Sequence, residues 1–304
     1  MLTLQTAKSF MMKDSATSLE TLKAYYTLTK PGIIRGNVLT AIAGFFYASQ
    51  GTVVWATLAY LLGGVVCVIA SACVVNNYFD RTIDAKMERT KKRALVTGRI
   101  ATAHALAYAT GLAVVGFGLL WVGTNALTVI AGVLAFVTYA GVYTYAKHRT
   151  VYGTLIGSFP GALSLVAGYV AVTGSLNSTA LILFAIMAVW QMPHFYAIAI
   201  YRKAEYAAAG VPVFSIVKGT QRTIWHIIGY IAAFGAVAVS LSIVGDASLT
   251  YGVIMAGLSV WWLWYALKGL RTKKVESWAK GVFGISLVTL LVFSLLLTID
   301  NFLP

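Results

Sequence analysis

Negative charge is what this sequence has least of. Its 304 residues include nine Asp and Glu against 23 Lys and Arg, and residues charged at all make up only 11%. A soluble domain carries about 25%. With 59% hydrophobic residues and a mean hydropathy of +0.81, a water-soluble globule is excluded. Cysteine is nearly absent too. Cys67 and Cys73 share one apolar run without CxxC spacing or a nearby His or Asp cluster, so a disulfide framework or thiolate metal site is excluded. They read as small packing residues. Residues 1–30 lack a long apolar core and hold Lys8, Lys13, Asp14, Glu20, Lys23 and Lys30. That is not a cleavable signal peptide. It reads as a polar N-terminal arm with its Leu19–Leu28 stretch lying on the membrane surface.

Long apolar runs are what the chain has instead. Nine can be drawn, at 33–49, 54–79, 101–122, 125–145, 151–173, 178–200, 223–244, 250–269 and 279–299. Runs near 20 residues fit membrane-spanning helices, not the shorter alternating strands of a barrel. The expected fold is therefore all-α: a polytopic membrane protein with nine transmembrane helices over residues 31–304. The connections alternate between short, nearly uncharged ones and basic ones. Arg81 to Arg99, Lys147-His148-Arg149, Arg202 to Arg222 and Lys268 to Lys280 all fall on the N-terminal side, as does Arg35. The positive-inside rule puts that side in the cytoplasm and the C-terminus outside. It also accounts for the net charge of +14 without a nucleic-acid partner. The two longest cytoplasmic connections, after helices 2 and 6, suggest two related four-helix halves plus a ninth helix, with both loops converging on one cavity.

One stretch organises the chemistry: Asn76-Asn77-Tyr78-Phe79-Asp80-Arg81-Thr82-Ile83-Asp84. On a helix each four-residue step turns about 400°, so Asn76, Asp80 and Asp84 drift about 80° over roughly 12 Å and form one polar stripe. Two carboxylates so placed repel each other. Hard oxygens in a row suit Mg²⁺, which takes one or two carboxylates and completes its shell with water and substrate phosphates. A solvated helix end is the plain alternative. The charged loop that follows interleaves Glu88 with Arg89, Lys92 and Arg93, cations able to grip the diphosphate oxygens that a metal leaves free, or simply to anchor the loop on anionic lipid. Lys147 and Arg149 offer the same two readings. Helix 5 carries Gly153, Gly157, Pro160, Gly161 and Gly168, which allow close helix packing or room for a flat ligand. Helix 6 carries Trp190-Gln191-Met192-Pro193-His194-Phe195-Tyr196. Proline frees a backbone carbonyl and bends the helix there, and an intramembrane histidine is by default a functional candidate. His104, His148 and His226 lie near helix ends and are left unassigned.

These residues carry a resemblance. Asn76-x₃-Asp80-x₃-Asp84 followed by Arg89-Thr90-x₂-Arg93 resembles the first signature of the UbiA-type intramembrane prenyltransferases. The stretches Lys147 to Ser158 and Trp190 to Ile200 resemble its protohaem IX farnesyltransferase branch, as do Thr29-Lys30-Pro31-Gly32 and Gly210-Val211-Pro212-Val213. The likeness covers nearly the whole chain from about Lys30. It implies a UbiA-like bundle around a central cavity, in the cell inner membrane. It also implies an enzyme that uses Mg²⁺ to move a farnesyl group from farnesyl diphosphate onto a vinyl group of haem B, making haem O. Asn76, Asp80 and Asp84 would hold the Mg²⁺–diphosphate, with Lys147 and Arg149 acting on the leaving group. Arg89, Lys92, Arg93, Lys30, Arg35 and Tyr152 would complete the substrate contacts. His194 would face the haem. Glu205 stands where the family offers Asp and would be the remaining metal ligand. Terminal oxidase assembly factors are the partners implied. The rival readings are a prenyltransferase acting on a quinone precursor, which needs no imidazole, and a non-catalytic haem-handling or transport protein, which needs no diphosphate site.

Overall fold

The computed structural model describes residues 19–304; the first eighteen residues of the expected arm lie outside them. Nine long helices follow one another: α1 (Pro31–Ser49), α2 (Trp55–Asp84), α3 (Thr102–Gly123), α4 (Ala126–Ala146), α5 (Gly153–Thr173), α6 (Ser178–Tyr201), α7 (Thr220–Ile243), α8 (Leu249–Leu267) and α9 (Val275–Ile299). Among the described residues eight helices are long and apolar enough to cross a membrane, one fewer than the sequence suggests. The difference is α1, whose first turns carry Arg35, Asn37 and Thr40. No strand occurs among the described residues.

Each helix packs on the next, and α9 closes the circuit by packing on α1 as well as α6. Short connections make such sequential neighbours the default. Within lipid the drive for helix association is close packing and hydrogen bonding, not exclusion from water. The α1–α5 crossing shows how close. A Cβ on Gly168 would run into the Ala41 carbonyl oxygen, and one on Gly44 into the Leu165 carbonyl oxygen. These two glycines let the backbones touch. On the face opposite the basic loops, Asn125, Asn177 and Ser248 cap α4, α6 and α8 by accepting from Thr128, Ala180 and Tyr251 N–H at 3.0–3.1 Å. Caps of this type satisfy otherwise orphaned helix donors.

The two halves differ inside. From α5 to α9 large side chains fill the core, with Trp262, Tyr251, Phe234 and Phe293 fully buried. Between α1, α2, α4, α5 and α6 a cavity remains. Ahead of α1, a helix over 19–28 buries Ala24 and Leu28 against Val74, Ala94 and Leu95 while exposing Leu19, Leu22 and Tyr26.

Candidate active site

α2 is helical through Asp84, five residues past the end of its apolar run, so the whole stripe is built on one rigid element. Asn76, Asp80 and Asp84 are all buried, at 0%, 7% and 4% exposure, while Phe79 on the other side of the helix is 56% exposed. A pair of buried carboxylates on one helix face requires compensation, and three separate segments supply it. Lys147 Nζ lies 2.5 Å from Asp80 Oδ2, and His148 Nε2 lies 3.0 Å from Asp80 Oδ1. Arg93 Nη1 lies 2.5 Å from Asp84 Oδ2 and also donates to Asn77 Oδ1 at 3.0 Å. Lys30 Nζ donates to Asn76 Oδ1, and Asn76 Nδ2 donates to Thr144 Oγ1 at 2.7 Å. Lys30 adopts a left-handed backbone, φ 52°, a conformation that costs a non-glycine residue about 1–3 kcal/mol and persists where surroundings enforce it. Burial pulls the Lys30 ammonium down to about 8, with the neighbouring Lys147 acting the same way, and burial lowers Lys147 too. Three cations crowd two carboxylates. The excess positive charge is what an incoming polyanion would neutralise.

The cavity beside this cluster measures about 280 Å³. Lys147 belongs to both, pairing with Asp80 and lining the cavity wall. Going deeper, Cys73, Ala72, Ile69 and Val68 of α2 face Tyr143, Tyr139 and Phe136 of α4. α4 contains a π-helical turn at Thr138–Tyr143. Such turns recur at functional sites because they re-aim side chains. Here it stacks Tyr139 and Tyr143, ring centres 5.5 Å apart, and brings Thr144 Oγ1 to the Tyr139 carbonyl at 2.8 Å while it accepts from Asn76. The N-terminus of α5 opens on the cavity at Gly153 and Thr154, with no side chain capping it. A helix N-terminus favours an anion. The two basic loops meet above: Met87 packs on Ala209 and Val211, and Val211-Pro212-Val213 with Tyr206 roofs the cavity.

Not every expected residue joins the cluster. Arg149 stacks on Tyr145, 3.7 Å from the ring centre, and is exposed, as are Tyr152, Arg35 and Lys92. Glu205 is engaged by Arg202 at 3.1 Å and Arg89 at 3.8 Å, an ion-pair set of its own. Among the described residues no three acidic, His or Cys side chains are grouped closely enough to hold a metal, so the structure does not bring Glu205 together with Asp80 and Asp84. The reason is reach: Arg202, three residues before Glu205, holds the longer side chain at its own helix end. His194 lies on the α9 side of α6, its Nδ1 2.8 Å from Ser286 Oγ and its ring between Trp190 and Phe283. The cavity-side residues of that turn are Gln191 and Phe195. Gln191 donates to the carbonyls of Ser158 and Met187, both at 3.0 Å.

Two participants escape a sequence reading. His148 carries no assignment from the sequence, yet it joins Lys147 on Asp80, and its Nδ1 is buried with no protein partner. Its position between Lys147 and Arg149 was the available signal. Thr144 gives no signal, since its role depends on the π turn. The oxygens of Asn76, Asp80 and Asp84 are a hard-donor set. They fit Mg²⁺ brought in with a diphosphate, which supplies the remaining ligands.

A family model described as the UbiA prenyltransferase family matches residues 37–293 of this sequence. The chain belongs to the UbiA prenyltransferase family. Similar UbiA-family proteins include two named protoheme IX farnesyltransferase, from Citrobacter koseri and Shigella flexneri. Each is 49% identical over 283 residues, covering 93% of this chain and 96% of the relative. Solved structures share the fold at lower identity. A digeranylgeranylglyceryl phosphate synthase aligns with TM-score 0.77 at 17% identity, over 93% of this chain and 99% of that one. A UbiA homolog from Archaeoglobus fulgidus, bound to GPP and Mg²⁺, aligns with TM-score 0.66 at 14% identity, over 90% and 99%. This UbiA-family chain is accordingly an all-helical, multi-pass membrane protein.

Proposed function

We propose that this enzyme transfers the farnesyl group of farnesyl diphosphate to a vinyl group of haem B, producing haem O. The observation that carries the reading is the α2 stripe, with buried carboxylates each met by a cation at the mouth of an apolar cavity. The 49% identity to proteins of that name supports the choice of acceptor. An inner-membrane location belongs to the same reading, and the one-sided Lys and Arg distribution supports a cytoplasmic basic face.

Asn76, Asp80 and Asp84 would hold Mg²⁺ together with the diphosphate. When bound, the metal neutralises charge that develops on the departing diphosphate. Lys147 and Arg93 move from the carboxylates, and Lys30 from the Asn76 amide oxygen, to phosphate oxygens, and the uncapped α5 N-terminus faces the same anion. Arg89, Lys92 and Arg149 are outer cations that guide the substrate in, with Arg35 and Tyr152 at the rim. Glu205 positions Arg89. The farnesyl C–O bond breaks and its electron pair leaves with diphosphate. Tyr139 and Tyr143 flank the allylic cation, and the cavity keeps it from water. The terminal vinyl carbon bonds to farnesyl C1. Water adds to the neighbouring carbon and loses a proton, leaving a hydroxyethylfarnesyl group.

A cavity of about 280 Å³ falls just below the usual size of ligand pockets, roughly 300–1,000 Å³. It suits an isoprenoid tail, and the macrocycle must present its vinyl group from the side. His194 and Phe195, consecutive on α6, are the haem-side candidates, with Phe195 lining the cavity and His194 held behind it against α9. Partnership with terminal oxidase assembly belongs to the same reading. Mass analysis of haem extracted from cells with and without the protein tests it. Farnesylated haem should appear only with the protein; a prenylated quinone precursor in its place would favour the rival acceptor.

A further inference from the structure

The cavity does not end at a random point. One turn deeper, farther from the basic loops, lies a second void of about 20 Å³. The two share four wall residues: Val68 and Ile69 of α2, Ala135 of α4 and Ser164 of α5. These form a partition. Asp80 and Val68 are twelve residues apart on one helix, so the partition lies about 18 Å below the acidic stripe. Ser164 is tied to α1, donating to Asn37 Oδ1 at 2.7 Å. Behind the partition, Leu120 of α3 is 1% exposed and lines the small void. It is seated against two glycines. A Cβ on Gly64 would come within 2.5 Å of Leu120 Cγ, and one on Gly132 within 3.1 Å of Cδ1. The void beyond could hold about one water, and its walls are mostly aliphatic. Two spaces are therefore kept apart by a thin layer of four side chains, with one buried leucine on the wall of the deeper space.

We propose that this partition, backed by Leu120, is the length stop of the prenyl pocket: it accommodates the farnesyl tail and rejects a chain one isoprene unit longer. The proposal rests on the reading of the cavity as a prenyl diphosphate site. It identifies the residues that select the donor, whatever the acceptor is. Removing Leu120 enlarges the space behind the layer and takes away its backing, so the layer can yield to a longer chain; filling the partition shortens the pocket.

The test uses full-length protein in detergent with Mg²⁺. Affinities for geranyl, farnesyl and geranylgeranyl diphosphate are measured alongside turnover with haem B, for the wild type, Leu120→Ala and Ala135→Leu. Leu120→Ala should raise the preference for geranylgeranyl over farnesyl diphosphate about tenfold or more, and Ala135→Leu should shift preference toward geranyl diphosphate by a similar factor, the scale on which apolar pockets discriminate chain length. Preference is a ratio within one variant, so partial loss of folded protein does not mask it. Should Leu120→Ala fail to fold, the opposite shift in Ala135→Leu decides. Wild-type ratios in the folded variants would overturn the proposal. Length-selective binding without haem turnover would instead overturn the acceptor reading and leave the length stop standing.

Discussion

α2 and α6 are the same kind of helix put to different uses. Both cross the bundle toward the basic face and end near an acidic residue on a positively charged loop. At the end of α2 the carboxylates are buried, and their partners come from elsewhere in the chain: Lys147 to Asp80, Arg93 to Asp84. At the end of α6, Glu205 is one-third exposed and pairs with Arg202 three residues away. Buried pairs are energetically exacting, since removing one partner costs roughly 3–5 kcal/mol; exposed ones contribute about 0–1 kcal/mol. The first arrangement stores charge that a ligand can redirect. The second trims a surface. Asymmetry also marks the mid-membrane level, where α2 lines the cavity and His194 of α6 packs against α9.

The sharpest way to break this contrast is Asp80→Ala. Farnesyl transfer should fall by about 10³-fold or more, judged against single electrostatic groups worth about 10²–10³, while the protein still inserts. Turnover of extracted membranes with farnesyl diphosphate and haem B measures it, and near-normal turnover would remove the metal role from α2. Chelating Mg²⁺ from the wild type should stop turnover, with recovery on adding Mg²⁺ back. Lys147→Gln should cost about 10²-fold in kcat, because it loses a phosphate contact and leaves Asp80 with His148 alone. His194→Ala sharpens the α6 side: haem conversion should be lost while Mg²⁺-dependent diphosphate binding stays at wild-type strength. Loss of both would mean a structural role. Smallest of all, Glu205→Gln should change stability by less than about 1 kcal/mol and leave turnover within a fewfold of wild type.

The same contrast explains what could be read from the sequence. The stripe was legible because four-residue spacing fixes a helix face without knowledge of the rest of the fold. The apolar runs gave the nine helices for the same reason, and α1 is less apolar than the rest because Arg35 and Asn37 occupy its first turns. Partners were harder. Lys147 and His148 reach Asp80 across 67 and 68 residues of sequence, and the turn that carries them is irregular, so periodicity could not tell Arg149, which stacks outside on Tyr145, from His148, which points in. The π turn of α4 has no compositional mark, which hid Thr144. The direction of His194 depends on how α6 rotates against α9, a matter of packing that polarity and a neighbouring proline do not determine.

Binding of a non-hydrolysable farnesyl diphosphate analogue with and without Mg²⁺, in wild type and Asp80→Asn, addresses the α2 stripe most directly. Charge removal at near-constant shape should abolish the Mg²⁺-dependent part of the affinity and leave the weaker, metal-independent part. Equal Mg²⁺-dependent affinity in both proteins would contradict a metal–diphosphate site on α2.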